Sequence, residues 1–205
     1  ISLGDLQGNR FVIVLRECEK EPAPISQCIN YFDEQRFSET NKEVGNAIVK
    51  KDFAKACELI RADEVKEHLE ESPKDFVGAM KKLPLKTRML HVNAYQSWLW
   101  NMTVSEYLKS RYDCLKSDYS LGELYFPLKN VPNISVPMAG FGTELDDDEI
   151  GKIISELLKK EKVKPNDFVI PSMPELSAEG GMREIAIDVA ELKIEKIGKN
   201  DYTVC

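Results

Sequence analysis

The sequence predicts an α+β fold in which short strands near both ends flank a largely helical middle. Three observations support this: an apolar, β-branched segment near the start, helical spacing through residues 44–59 and 86–112, and four short apolar runs after Pro165. Strands and helices that are segregated along a chain are typical of α+β proteins with antiparallel sheets. With 205 residues, 42% of them hydrophobic, the chain is long enough for one or two domains with a buried core.

The first part of the chain is predicted as a strand, a loop and helices. Asn9–Glu17 is β-branched and apolar in its middle, which predicts a well-buried strand. Two prolines then break the chain, and Ile25–Ile29 can form a short helical turn. Residues 30–38 show neither strand nor helix periodicity, and residues 44–59 return to helical spacing.

The longest helical pattern runs from Lys86 to Tyr112 and predicts the central helix of its domain, because apolar residues recur at steps of three and four. Residues 118–143 contain three prolines and three glycines, which favours short strands and turns. Three aspartates at 146–148 precede an apolar stripe that ends in lysines, a charge pattern that caps a helix. Strands are predicted at 168–170, 185–189, 192–197 and 202–204.

Composition and motifs exclude several classes of protein. No apolar run approaches the length of a membrane span. The motifs of P-loop, dinucleotide-binding, serine-hydrolase and zinc-protease sites are missing from the sequence. Five widely spaced cysteines without a C-x-x-C pair, and only two histidines, predict neither disulfides nor a metal site. Buried free thiols favour a cytoplasmic protein, or a nuclear one in a eukaryote.

The segment Asn30–Ser38 gathers side chains that suit an unstacked nucleotide. Amides bind base edges, guanidinium groups bind phosphate, and phenyl rings stack on bases. The alternative is a buried loop in which Arg36 pairs with Glu34 or Asp33 while the phenylalanines fill the core. The candidate substrate-binding residues are Asn30, Phe32, Gln35, Arg36 and Phe37.

A second cluster lies on the predicted central helix. Asn93, Ser97 and Asn101 follow one another at intervals of four, so they share one face beside an aromatic face. Such a stripe is typical of a helix that packs against backbone groups in need of hydrogen-bond partners.

A basic stretch lies within this acidic chain, whose net charge is −7. Residues 72–88 contain five basic residues and one acidic residue. Phosphates respond to charge within about a Debye length, ~8 Å in physiological salt, more than to the net charge of the chain. The alternative is a solvated loop and helix start. The candidate RNA-binding residues here are Lys74, Lys81, Lys82, Lys86 and Arg88.

These segments resemble a known family. NYFDEQRFS at 30–38 resembles the N-[YxF]-G-x-Q-R-F-G signature of the TruD family of tRNA pseudouridine synthases, and NAYQSWLWN at 93–101 resembles its A-Y-Q-S-x-L-F-N segment. Further stretches similar to family landmarks are Leu3–Phe11, Pro137–Thr143, Phe168–Ile170 and Gly180–Arg183, of which the last adds Arg183 to the RNA-binding candidates.

The resemblance implies a pseudouridine-synthase catalytic domain with an antiparallel sheet, interrupted by an inserted α/β TRUD domain. On that template residues 1–58 and 184–205 belong to the catalytic domain and residues 59–183 to the insertion. It also implies isomerisation of uridine to pseudouridine, at position 13 of tRNA in the family, without a cofactor. The expected partner is tRNA, with no DNA or membrane contact, and the expected state is a monomer. The alternative is a non-catalytic RNA-binding or structural relative.

Departures from the family pattern set further expectations. The family's nucleophilic aspartate lies in a G-x-K-D-x-x-A-x-T segment that this chain lacks, so we expect it upstream of Ile1 in a longer parent protein. Residues 1–205 alone are then inactive. Asp33 and Ser38 replace glycines of the signature, so at each position the backbone must avoid positive φ or carry strain.

Overall fold

The structure, a computed structural model, describes residues 11–205. It divides into two compact units, one with residues up to 29 together with 186–205, and the other with residues 30–185. The split between residues 185 and 186 lies close to the predicted boundary at 183/184. The split between residues 29 and 30 lies well before the predicted boundary at 58/59, because helices within 41–59 pack against later helices. The domain bounds that the resemblance implies stay a prediction.

The first unit contains short antiparallel strands. In one sheet the order is β1 (Ile13–Leu15), β9 (Tyr202–Val204) and β8 (Ile194–Lys196), and a separate pair joins β2 (Gln27–Ile29) to β7 (Ala186–Asp188). The strands predicted after residue 185 in this unit are thereby confirmed.

Two predictions for the first unit are wrong. Residues 27–29 form a strand and not a helical turn, because they pair with β7, far along the chain. Strand β1 is not well buried, since Ile13 and Val14 are 55% and 42% exposed at the edge of their sheet. Residues 9 and 10 of the predicted strand, and most of the Leu3–Phe11 landmark, lie outside the described residues.

The second unit is mainly helical. The stretch predicted as helical over 44–59 forms two helices, because Lys51 adopts a left-handed φ of 61° and Asp52 then caps the second helix through the Lys55 N–H at 3.0 Å. The helices are α1 (Asn41–Val49), α2 (Phe53–Leu59), α3 (Asp63–Glu71), α4 (Phe76–Lys81), α5 (Leu85–Arg111) and α6 (Glu149–Glu161).

Helix α5 confirms the predicted central helix and forms the core of its unit. Tyr95 and Trp100 are fully buried, although they lie on different sides of the helix. Helix α1 crosses α5 at Gly45, where an added Cβ would lie 2.1 Å from the His91 carbonyl oxygen. Glycine therefore permits the close approach that fixes α1 against α5.

The predicted cap of α6 is also confirmed. The Asp148 carboxylate accepts a hydrogen bond from the Gly151 N–H at 2.7 Å, and Lys159 and Lys160 lie in the last turn. The negative charge at the start of the helix and the two positive charges at its end each interact favourably with the helix dipole. The acidic run at 146–148 thus begins a helix.

Short strands and turns follow α5, as predicted for 118–143. The strands are β3 (Cys114–Tyr119), which forms a hairpin with β4 (Gly122–Pro127), and β5 (Ser135–Met138), which pairs with β6 (Gly181–Glu184).

The strand predicted at 168–170 is wrong. A 3-10 helix covers Pro165–Phe168, and the Ile170 N–H donates to the Ser177 hydroxyl at 2.9 Å instead of to a neighbouring strand. Phe168 and Ile170 are nevertheless fully buried. Their apolar character reflects burial and not strand pairing.

None of the five cysteines, all within the described residues, is in a disulfide; only Cys57 is buried, and Cys28 is exposed. The expectation of five buried thiols is therefore wrong for most of them. Within residues 11–205 no helix is both long and apolar enough to cross a membrane. In the same range no three His, Cys, Asp or Glu side chains converge as a metal site requires.

Candidate functional site

The motif loop, residues 30–38, contains one 3-10 helix at Glu34–Arg36. The Asp33 carboxylate caps this helix by accepting from the Glu34 N–H at 2.8 Å. Asp33 has a φ of −81° and avoids the left-handed region, whereas Ser38 has a φ of 46°, where a side chain with a Cβ is strained. Of the two replaced glycines, only the one at Ser38 leaves strain behind.

Asn101 of helix α5 holds the backbone of the motif loop at Phe32. The Phe32 N–H donates to Asn101 Oδ1 at 2.9 Å, and Asn101 Nδ2 donates to the Phe32 carbonyl oxygen at 2.8 Å. Asn101 is fully buried. This pair confirms the prediction for Asn101, the member of the polar stripe that satisfies backbone groups of another segment.

Asn30 joins the start of the loop to strand β6. Its backbone N–H donates to the Ile185 carbonyl oxygen at 2.8 Å, and its side-chain NH₂ donates to the Glu184 carbonyl oxygen at 3.0 Å. The Arg183 guanidinium donates to the Asn30 backbone oxygen at 2.9 Å and also to Asn30 Oδ1. Both ends of the Asn30 amide are therefore engaged within the protein.

The Phe32 ring lies among two guanidinium groups and an indole. The Arg183 guanidinium carbon is 4.0 Å from the ring centroid, and that of Arg36 is 5.6 Å away. Trp100 contacts the ring edge-on at 5.8 Å between centroids. Arg36 is further fixed because its Nε donates to the Ser97 hydroxyl at 3.3 Å.

These two arginines carry charge that the described part of the chain does not neutralise. Ion pairs of described arginines with carboxylates involve Arg61, Arg88 and Arg111, and neither Arg36 nor Arg183. The alternative pairing of Arg36 with Glu34 is not formed, since Glu34 accepts from the Ser120 N–H at 2.9 Å. Burial and the nearby Arg36 lower the pKa of Arg183. Two neighbouring cations without a counterion can bind a phosphate.

The remaining motif-loop candidates separate by burial. Gln35 is exposed and can reach a ligand. Phe37 is only 1% exposed and belongs to the core cluster of the second unit. The assignment of Phe37 to substrate binding is therefore wrong, because a ring enclosed by core side chains cannot contact a nucleotide.

The basic segment 72–88 also divides into two kinds of residue. Arg88 is 8% exposed, and it donates to Glu175 at 2.5 Å and to the Leu83 carbonyl oxygen at 3.2 Å. Its assignment to RNA binding is wrong, since its charge is neutralised inside the protein. The exposed lysines of the segment, which form no ion pair with the described residues, are Lys74, Lys81, Lys82 and Lys86.

Sequence reasoning did not include the residues of α5 that support the loop. Ser97, Trp100 and Asn101 contact Arg36 or Phe32, yet none was among the predicted site residues. The signal was available for two of them, because Ser97 and Asn101 belong to the polar stripe. For Trp100 the sequence carries no such signal, because an indole in a helix usually fills core.

Comparison with known proteins gives consistent matches. The family model described as "TruD: tRNA pseudouridine synthase D (TruD)" matches residues 1–68, 61–119 and 129–204. A Methanopyrus kandleri relative named "Probable tRNA pseudouridine synthase D" is 30% identical over 95% of this chain and 60% of its own length. A Methanosarcina acetivorans relative of the same name is 26% identical over 98% of this chain and 63% of its own length. The chain thus spans about three fifths of these curated relatives.

A solved structure is similar as well. The crystal structure of a Methanosarcina mazei protein assigned to tRNA pseudouridine synthase D matches with a TM-score of 0.66 and 20% identity. The match covers 86% of this chain and 56% of that chain. At this identity the similarity establishes a shared fold.

Proposed function

Since this chain belongs to the TruD family of tRNA pseudouridine synthases, we propose that the complete protein isomerises uridine to pseudouridine in tRNA. The observation that carries the proposal is the pair of guanidinium groups, Arg36 and Arg183, which flank Phe32 without a described carboxylate partner. The nucleophilic aspartate is expected upstream of Ile1, so residues 1–205 alone are expected to be inactive.

The chemistry requires the target uridine to leave the base stack. An aspartate then attacks the flipped nucleotide, the glycosidic bond breaks, and the base is rejoined through carbon. Flipping costs a few kcal/mol, which binding must supply. We assign that binding to the motif loop. Phe32 lies beside the flipped nucleotide, Arg36 contacts a phosphate, and the exposed Gln35 contacts a polar edge of the nucleotide.

The contacts of the loop refine two of these roles. Arg183 covers one face of the Phe32 ring at 4.0 Å, so a base would stack on the other face or on the guanidinium itself. Asn30 has its amide engaged with Glu184 and Arg183, which supports a role in holding the loop and not in reading the base.

Phe32→Ala in the complete protein tests the proposal. Stacking by an aromatic ring is worth about 1–3 kcal/mol, so turnover on a tRNA transcript should fall by about 5- to 150-fold. The matched control is Phe37→Leu, which changes a core ring and should lower the melting temperature while the rate per folded molecule stays unchanged.

Two outcomes would contradict the proposal. If Phe32→Ala loses stability as Phe37→Leu does, with its rate per folded molecule unchanged, Phe32 is only scaffold. If the complete wild-type protein binds tRNA but forms no pseudouridine, the non-catalytic RNA-binding relative is the better description.

The exposed lysines of segment 72–88 are proposed to extend the tRNA surface. Their support is exposure and the lack of ion pairs with described residues. Replacing Lys81, Lys82 and Lys86 with Glu should weaken tRNA binding and reduce its salt dependence. An unchanged salt dependence would place the RNA elsewhere. The monomeric state and the cytoplasmic or nuclear location stay predictions.

A further inference from the structure

A small cavity lies beside helix α5 in the second unit. Its volume is about 220 Å³. Helix α5, the end of strand β5 and the residues just before β6 all contribute to it. The lining residues that matter here are Met89, Asn93, Gln96, Met138, Glu179 and Gly180.

Helix α5 and strand β6 connect this cavity to Arg36 and Arg183. On α5, the Ser97 hydroxyl donates to the Asn93 carbonyl oxygen at 2.8 Å and accepts from Arg36 at 3.3 Å. Near β6, Gly180 precedes Arg183 by three residues. The cavity therefore begins about one helical turn, ~5.4 Å, from the contact of Arg36 with α5. Gln96, which lines the cavity, is likewise about one turn of α5 from Trp100, whose indole contacts the Phe32 ring. The cavity therefore suits the nucleotide next to one held at Phe32.

The lining groups favour a base over a phosphate. The Glu179 carboxylate lines the cavity and disfavours an anion, whereas the Glu175 carboxylate, also in the lining, is paired with Arg88. The Asn93 side-chain amide makes no hydrogen bond to residues 11–205, so both its donor and its acceptor are available. Gln96 donates its NH₂ to the Ala139 carbonyl oxygen at 2.7 Å, which leaves its own carbonyl oxygen as an acceptor. The volume is below the ~300–1,000 Å³ of pockets for drug-sized ligands and suits a single base.

We propose that this cavity binds the base of a nucleotide adjacent to the target uridine, with Asn93 as a specificity-determining residue. The inference rests on the proposed function, because it requires the RNA to lie at Phe32. Among the side chains of Asn93, Gln96 and Glu179, available acceptor atoms outnumber available donor groups. Bases with an exocyclic amino group are therefore favoured over uracil, whose edge offers two carbonyl oxygens and one N–H.

The test compares the complete wild-type protein with Asn93→Ala. The substrates are tRNA transcripts that differ only in the bases flanking the target uridine, and both Kd and the rate of pseudouridine formation are measured. Wild type should prefer an amino-bearing base over uracil at one flanking position by about tenfold, and Asn93→Ala should lose that preference. Thr87→Ala is the matched control, because Thr87 is a half-buried polar residue of α5 outside the cavity. It should keep the preference.

The outcomes separate this inference from the proposed function. No preference in wild type, or an equal preference in Asn93→Ala, overturns the inference even if pseudouridine is formed. If wild type forms no pseudouridine, the proposed function fails and the Kd values decide the inference. A base preference in Kd that disappears in Asn93→Ala supports it, and Kd values independent of the flanking base overturn it. Melting temperatures establish that all three proteins fold.

Discussion

Arg36, Arg183 and Arg88 all lie in the second unit, yet the surroundings of the first two are opposite to those of Arg88. Arg36 and Arg183 contact Phe32 and have no carboxylate partner among the described residues. Arg88 is 8% exposed and donates to Glu175 at 2.5 Å. A guanidinium paired internally stabilises the fold, whereas one without a counterion is available to a phosphate. We therefore propose that the internal partner of an arginine, more than the basic residues near it in sequence, distinguishes a structural arginine from one that contacts RNA.

Removing Arg183 should have the largest effect. Arg183→Ala in the complete protein should lower kcat/KM by about 1000-fold, because it removes a cation at Phe32 and the charged hydrogen bonds that hold Asn30. Arg183→Lys keeps the charge without the planar fork and should recover part of the loss. Steady-state kinetics on tRNA check this. A kcat/KM within twofold of wild type would remove Arg183 from the site.

His91 extends the comparison, because it is a buried polar group of α5 without the partner that Arg88 has. It is 7% exposed, and neither ring nitrogen has a hydrogen-bond partner among the described residues. Burial lowers the pKa of His91 from 6.5 to about 4. Between these values the unfolded chain binds a proton that the folded protein does not. The free energy of unfolding should therefore decrease by about 3 kcal/mol as the pH falls from 7 to 4.

The matched variant for this prediction is His91→Leu, which cannot titrate. Denaturant unfolding at pH 7, 5 and 4 should show a smaller loss of stability in the variant than in wild type. An identical loss in both proteins would assign the pH dependence to other groups.

Arg88→Ala should reverse the pattern expected for Arg183. Loss of the Glu175 and Leu83 contacts should lower the free energy of unfolding by about 2 kcal/mol, or ~4–8 °C in melting temperature. The rate of pseudouridine formation per folded molecule should stay unchanged. Calorimetry together with kinetics checks both parts. A stable Arg88→Ala protein with a low rate would place Arg88 among the RNA contacts.

The smallest change in stability is expected at Asp33 and Ser38, the two positions of the motif loop that replace signature glycines. Substituting each of them with glycine gives a matched pair of variants. Ser38→Gly should stabilise the protein by about 0.5–1 kcal/mol, because Ser38 has a φ of 46°. Asp33→Gly should destabilise it by a similar amount, since Asp33 has a φ of −81° and caps the 3-10 helix. Thermal melts distinguish the two variants. The same sign of change in both would show that strain at Ser38 does not decide their stability.

Local signals explain which parts of the fold were predictable. Helices α5 and α6 were predicted because apolar spacing and the Asp148 cap are contained within each helix. Strand β2 and the exposure of β1 were not, because both depend on pairing with strands more than 150 residues away. The segment around Phe168 was predicted as a strand because it is apolar, but the structure shows that its apolar character reflects burial and not strand pairing.

The candidate site stays a prediction, and the sequence did not indicate which of its side chains are buried or paired. The motif loop contains two phenylalanines of identical chemistry, and only packing distinguishes the half-buried Phe32 from Phe37. Arg88 likewise looks like a free cation until Glu175, 87 residues later, is placed beside it. The polar stripe did carry information, because Asn101 proved to be the residue that holds Phe32.

The salt dependence of tRNA binding tests the central claim most directly. The slope of log K against log salt falls by about 0.7–0.9 for each lost phosphate contact. The complete protein with Arg36→Gln and Arg183→Gln together should lose about one such contact, the phosphate proposed for these two arginines, whereas Arg88→Gln should keep the wild-type slope. An unchanged slope in the double variant, with a reduced slope in Arg88→Gln, would contradict the account.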